Sequence, residues 1–201
     1  MPVRETRTGP KAKKTGSARA ESSAGSEGPA GSERRVVLTP DGPAYAIPPR
    51  IAEAREAGRR VVFTNGCFDL LHPGHVFYLR MARSLGDTLV VGLNSDASVG
   101  RLKGPFRPLV AEEDRAIMLA ALEFVDAVVV FDEDTPERLM RELKPAVYVK
   151  GGDYRIEDLP EAEAAAQIGA EVRILPFKPG YSTTALIEKI KHIPMRPTAE
   201  D

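Results

Sequence analysis

Short apolar runs recur from residue 61 onward, at 61–64, 88–93, 127–131, 146–149 and 172–176. They are strand-sized and rich in valine. Between them the apolar positions switch to helical spacing, over 75–84, 112–124, 136–143, 160–168 and 183–191. Near-continuous apolar strands alternating with amphipathic helices are the pattern of βαβ units and a parallel sheet covered on both faces. The expected fold is therefore α/β, a Rossmann-like, doubly wound, five-stranded parallel sheet over residues 59–192. Residues 36–58 read as a lead-in. Val36, Val37 and Leu38 suggest a short strand before a turn at Asp41-Gly42, and Pro48-Pro49 opens a short helix around 51–57 that Gly58 ends. Residues 1–35 are small or charged and cannot bury enough surface to offset their ordering entropy, so a disordered tail is expected, basic at its start (Arg4, Arg7, Lys11, Lys13, Lys14). Residues 193–201 read as a C-terminal tail. No internal repeat is present.

Composition narrows the partners. The chain has 201 residues with 28 basic and 29 acidic side chains, so no overall field points to nucleic acid or to a membrane surface. The single cysteine, Cys67, excludes an internal disulfide framework and a cysteine-rich zinc site, which fits a reducing compartment. With no apolar stretch near the roughly 20 residues of a bilayer span and no apolar signal region, a cytoplasmic protein is expected.

Candidate chemistry concentrates in residues 61–75. A strand runs into the turn Asn65-Gly66 and delivers His72 and His75 on either side of Pro73-Gly74. Strand, glycine turn and helix start place functional groups at the carboxyl edge of a parallel sheet. Neither a P-loop nor a G-x-G-x-x-G fingerprint occurs, so any phosphate must be held by other means. The two histidines have three readings. As metal ligands they lack further partners, because the only other histidine is His192. As structural residues they would cap and pack. As phosphate donors they would sit at a helix start, since Pro73 suits a first turn, where free N–H groups and the positive end of the dipole face the ligand.

The stretch Thr-Asn-Gly-Cys-Phe-Asp-Leu-Leu-His-Pro-Gly-His (64–75) resembles the signature of the H-x-G-H nucleotidyltransferase superfamily. Five further blocks, at 94–104, Arg107-Pro108, 113–119, 149–154 and 180–190, resemble one branch of it in order. That branch is the D-glycero-β-D-manno-heptose 1-phosphate adenylyltransferase family, in many bacteria the C-terminal half of a bifunctional kinase/adenylyltransferase. The resemblance spans about residues 59–191. It implies attack of a sugar phosphate on the α-phosphorus of ATP, giving ADP-heptose and pyrophosphate, with Mg²⁺ accompanying ATP. It also implies a separate upstream sugar kinase, because no kinase domain precedes this stretch, and a homo-oligomer, commonly a dimer. The segment Phe177-Lys-Pro-Gly180 favours this branch over the glycerol-phosphate cytidylyltransferases, which carry an arginine there. The choice of base rests on the resemblance alone.

Under that resemblance His72 and His75 donate to α- and β-phosphate oxygens, with Lys103 and Arg115 as the cationic catalytic residues and Arg107 on the acceptor phosphate. Asn65, Gly66, Cys67, Phe68 and Gly74 would grip the nucleotide, and Asp69 would orient the loop or hold Mg²⁺ through water, with no direct protein ligand to the metal. Lys150, Gly151 and Asp153 would line the base and ribose. Ser182, Thr183 and Thr184 at a helix start would take the β- and γ-phosphates. Two alternatives stay open: a cytidylyltransferase acting on glycerol phosphate or another polyol phosphate, and a non-catalytic nucleotide-sensing module.

Overall fold

The structure is a computed structural model that describes residues 47–194 together with the backbone of Val36–Val37. The expected tail over 1–35, the turn at Asp41-Gly42 and residues 195–201 lie outside the described residues. The elements in chain order are β1 (Val36–Val37), α1 (Pro49–Glu56), β2 (Val61–Gly66), α2 (Pro73–Arg83), β3 (Thr88–Asn94), α3 (Asp96–Lys103), α4 (Glu112–Ala120), β4 (Ala127–Phe131), α5 (Glu137–Leu143), β5 (Val147–Gly151), α6 (Ala162–Ile168), β6 (Glu171–Leu175) and α7 (Thr183–Lys191). A single 3₁₀ turn, Ile156–Asp158, follows β5.

All strand pairs are parallel, in the order β1-β4-β3-β2-β5-β6. The five expected strands form the sheet, and the two residues of β1 add a sixth strand beside β4. The order runs outward from β2 in both directions, so the topological switch lies between β2 and β5. In such sheets the crevice beyond the carboxyl ends at the switch is where ligands bind.

Strand alternation sorts the core into two layers. Val62, Leu89, Val91, Val128, Val147 and Val149 pack under Tyr78, Leu79 and Ala82 of α2 and Ala116 and Leu119 of α4. Val61, Phe63, Val90, Val129, Phe131 and Tyr148 pack against Ile51, Leu139, Met140, Leu143 and Ala165 from α1, α5 and α6. Both faces of the sheet are dry, which explains strands without polar alternation.

Element limits differ from expectation in two places. The helix expected over 112–124 stops at Ala120, and 119–125 turn through Leu122 N–H→Leu119 O and Val125 N–H→Leu122 O to re-enter the sheet. Helix α3 was not anticipated. Its cap is Ser95, whose hydroxyl accepts from Ser98 N–H at 3.0 Å, but Gly100 inside it weakens any helical reading from propensity. Helix α7 is amphipathic yet buries none of its residues. Among the described residues, no helix is long and apolar enough to cross a membrane.

Candidate active site

Beyond the carboxyl ends of β2 and β5 lies a cavity of about 740 Å³. Its floor is the β2–α2 connection. At the start of α2, His72 is the N-cap in extended backbone (φ −141°, ψ 165°), and its Nδ1 accepts from the His75 backbone N–H at 3.4 Å. Because Nδ1 accepts, the neutral ring carries its proton on Nε2, leaving that N–H as a donor. Pro73 takes the first helical position, where a missing N–H costs nothing. The imidazoles of His72 and His75 stack with centroids 3.8 Å apart and planes 12° apart.

Two stacked imidazoles resist charging. Burial first, and the neighbouring His72 second, push the His75 pKa down to about 4. Burial also lowers that of His72. Near neutral pH both rings are uncharged donors, and His75 Nδ1 is buried without a partner. The edge of Phe68 packs on His75, centroids 5.3 Å apart. Phe68 itself sits in left-handed backbone (φ 44°), a conformation costing on the order of 1 kcal/mol for a residue with a side chain. Gly74 is required by crowding: a Cβ there would lie 2.8 Å from Tyr181 Cβ and 3.0 Å from the His72 ring. Tyr78 ties α2 to the sheet, donating to Val149 O at 3.1 Å and accepting from Thr64 Oγ1 at 2.6 Å. Burial holds its phenol pKa far above the usual value.

Of the residues singled out from sequence, Asn65, Gly66, Cys67, Phe68, Asp69, His72, Gly74, His75, Lys103, Arg107, Lys150, Gly151, Ser182, Thr183 and Thr184 line this one cavity. Ser182 caps α7, its hydroxyl accepting from Ala185 N–H at 3.4 Å, so the first turn of α7 faces the α2 start across the crevice. Burial raises the Cys67 thiol pKa, which argues against a reactive thiolate.

Two assignments are corrected, those of Arg115 and Asp153, and of the two roles open to Asp69 the geometry favours loop orientation. Arg115 does not line the cavity. Its side chain is 0% exposed and donates to Val110 O (2.9 Å), Cys67 O (2.5 Å) and Asp96 Oδ1 (2.8 Å), so it braces the Cys67 loop from behind. Asp153 is exposed and lies outside the lining, following Gly152 at φ 131°. Asp69 is buried with both oxygens occupied, one accepting from Arg107 Nε at 2.5 Å and the other from the N–H groups of Leu109 (2.7 Å) and Val110 (3.2 Å). It clamps the 104–111 loop over the site through three of its roughly four acceptor positions.

Several lining residues escaped sequence reading. Tyr154 and Phe177 pack over the glycine pair: a Cβ on Gly151 would meet Phe177 at 2.6 Å, and one on Gly152 would meet Tyr154 at 2.8 Å. Both rings are more than half exposed. Lys178 Nζ sits 3.4 Å from the Phe77 ring centroid and 5.6 Å from that of Tyr181. Asn94, Asp134, Thr135 and Glu161 complete the polar wall. The signal for these was weak, since each stands on a loop or strand end with no spacing that distinguishes it.

Donors at two helix starts, the lining lysines Lys103, Lys150 and Lys178 and a glycine-lined slot suit a nucleoside triphosphate. The model of the family described as cytidylyltransferase-like matches residues 63–189, which include both histidines and the first turn of α7. The chain belongs to that family. Curated relatives of this nucleotidyltransferase-type domain include "Bifunctional protein HldE" of Geobacter sulfurreducens, 59% identical over 70% of this chain and 29% of the relative. The protein of the same name from Geotalea uraniireducens is 60% identical over 67% and 27% respectively. The chain thus spans under a third of the curated relatives it matches. A solved lipopolysaccharide core biosynthesis protein from Thermoplasma volcanium is similar at 32% identity over 60% of this chain and 98% of its own, with a TM-score of 0.49.

Proposed function

We propose that this domain transfers AMP from ATP to the phosphate of a sugar 1-phosphate, D-glycero-β-D-manno-heptose 1-phosphate, releasing pyrophosphate. The observation that carries this reading is the pair of stacked, neutral imidazoles at the α2 start, facing the capped start of α7 across the crevice. Close identity to proteins named HldE supports the heptose assignment.

The chemistry follows from what the site offers. An acceptor phosphate oxygen attacks the α-phosphorus, the new P–O bond forms, and the bond to the β-phosphate oxygen breaks in line. The acceptor brings its own nucleophile, so the protein positions the reactants and stabilises charge. His72 and His75 donate N–H groups to phosphoryl oxygens as negative charge grows. Lys103 and Lys178 supply cationic charge at the rim, and Arg107, held by Asp69, presents its remaining N–H groups to the acceptor phosphate. The first turn of α7 offers backbone N–H groups and the Thr183 and Thr184 hydroxyls to the departing pyrophosphate.

Magnesium is expected with ATP, but the cavity's acidic residues do not fit it as protein ligands. Asp69 is held by Arg107 and two backbone N–H groups, Asp134 pairs with Arg101, Glu161 gives one oxygen to Lys150, and among the described residues no three His, Cys, Asp or Glu side chains cluster as a metal site. The ion would arrive held by the triphosphate's own oxygens. The phosphorylated sugar must in turn come from a kinase reaction.

Pyrophosphate release, measured with each of the four nucleoside triphosphates against heptose 1-phosphate and glycerol phosphate, tests the proposal. Turnover is expected with ATP and heptose 1-phosphate, and His72→Ala should lower kcat by about 10²–10³-fold with a smaller change in ATP affinity. Preference for CTP with glycerol phosphate would replace this reading by a cytidylyltransferase. Tight ATP binding without turnover of any acceptor would favour a nucleotide sensor.

A further inference from the structure

One corner of the cavity is unsuited to phosphate. Glu161 precedes α6 but caps none of its N–H groups, and only 3% of the residue is exposed. Its Oε1 accepts from Lys150 Nζ at 2.5 Å, while Oε2 is buried with no partner. A buried carboxylate oxygen without a donor is costly, and it repels phosphate oxygens. Such an atom is satisfied by a ligand that brings a hydrogen-bond donor.

Its neighbours fix what else that ligand must offer. Lys150 Nζ lies 3.3 Å from Tyr148 Oη, and lysine can only donate. The Tyr148 phenol stays protonated, because burial first and Glu161 second drive its pKa far upward. It therefore accepts from Lys150 and donates its own proton to Asn65 Oδ1 at 2.9 Å, with the Glu161 carboxylate also within its hydrogen-bonding reach. This direction orients the Asn65 amide and leaves its Nδ2 without a partner among the described residues. The wall thus presents an amide donor, an ammonium donor and a carboxylate acceptor in a row. A hydroxyl group both donates and accepts, and adjacent hydroxyls on a sugar ring match such a row.

We infer that Asn65, Lys150 and Glu161 form a site for sugar hydroxyls, with Glu161 Oε2 accepting from a ligand hydroxyl and Lys150 and Asn65 donating to its neighbours. The inference deepens the transfer reading and rests on it for the identity of the sugars. Two sugars would enter this cavity, the ribose of the nucleotide and the ring of the acceptor, and they share this chemistry.

Equilibrium titrations of the full chain distinguish the sources. The ligands are ATP, 2′,3′-dideoxy-ATP, GTP, heptose 1-phosphate and inorganic phosphate, tested on wild type, Glu161→Gln, and Lys150→Met combined with Glu161→Leu. The double variant removes both charges together, so neither is left buried alone. For a ribose site, both variants should bind ATP about tenfold more weakly and lose the preference for ATP over its dideoxy form. For an acceptor site, both should bind heptose 1-phosphate about tenfold more weakly, with inorganic phosphate unaffected. The inference is overturned if folded variants bind every ligand within twofold of wild type. It is also overturned if they lose only the preference for ATP over GTP, which would make the row a reader of the base edge. A wild type that binds ATP and the sugar phosphate but releases no pyrophosphate refutes the transfer reaction, and the same titrations still decide the hydroxyl site.

Discussion

His75 illustrates how one residue's environment becomes a measurable property of the protein. Burial holds its pKa at about 4, below the ordinary value of 6.5. Between those values the unfolded chain binds the proton and the folded one does not, so folding stability falls as pH drops from about 6.5 to about 4 and is flat from this group outside that window. The loss across the window is at most ~3 kcal/mol. Chemical denaturation at pH 7 and pH 5 should show it, and His75→Gln, which cannot titrate, should remove that part of the dependence. An unchanged pH profile in His75→Gln would mean the ring is not held neutral by burial. Gly74 is the second residue on which the site depends. Gly74→Ala forces a Cβ into the His72 ring and Tyr181, so kcat should fall at least tenfold while the melting temperature changes little, as steady-state assays and a thermal melt would establish.

At the level of elements, the strands were legible because a sheet buried on both faces demands apolar residues at every position, and Ala127–Phe131 is wholly buried. The α2 start was legible because proline, glycine and two histidines carry strong local chemistry. Arg115 was misplaced for a physical reason: an arginine near a phosphate site reads alike whether it faces the ligand or the loop behind it. Only the fold brings Cys67 O, Val110 O and Asp96 around its guanidinium. Glu161 and Tyr148 were invisible for a related reason, since no local spacing marks their partners, Lys150 at 11 residues and Asn65 at 83. The Arg115 brace yields its own prediction. Arg115→Lys keeps the charge but cannot reach all three acceptors, leaving at least one buried carbonyl bare at about 1–3 kcal/mol. A melting temperature lower by roughly 2–12 °C should follow. ATP affinity should weaken as well, because the Cys67–Phe68 loop loses its support. A variant that melts normally and loses only kcat would instead return Arg115 to the reacting groups.

Across the whole molecule, the cavity-lining groups gather at the carboxyl edge of the sheet, and the layers beneath serve to hold that edge still. Helix α1 lies outside the 59–192 limits expected for the domain, yet it belongs to one of those layers. Ile51 and Ala54 are buried, Ile51 against the lower face of the sheet, and two arginines of the helix reach over neighbouring elements, Arg50 to Asp126 O at 2.7 Å and Arg55 to Leu143 O at 3.0 Å. None of its residues lines the cavity. Stability and chemistry are therefore separable at this helix. Ile51→Ala empties a buried site of three carbons and should cost about 2–4 kcal/mol, a large share of a typical domain's ~5–15 kcal/mol. Urea denaturation should show a lower midpoint with an unchanged slope, because the same surface is exposed on unfolding. Below the transition, kcat and KM for pyrophosphate release should match wild type, since the switch-point crevice keeps its walls. A fall in kcat in the fully folded variant would show that the layer holding α1 reaches the site through the sheet. An unshifted midpoint would mean that the domain does begin at residue 59.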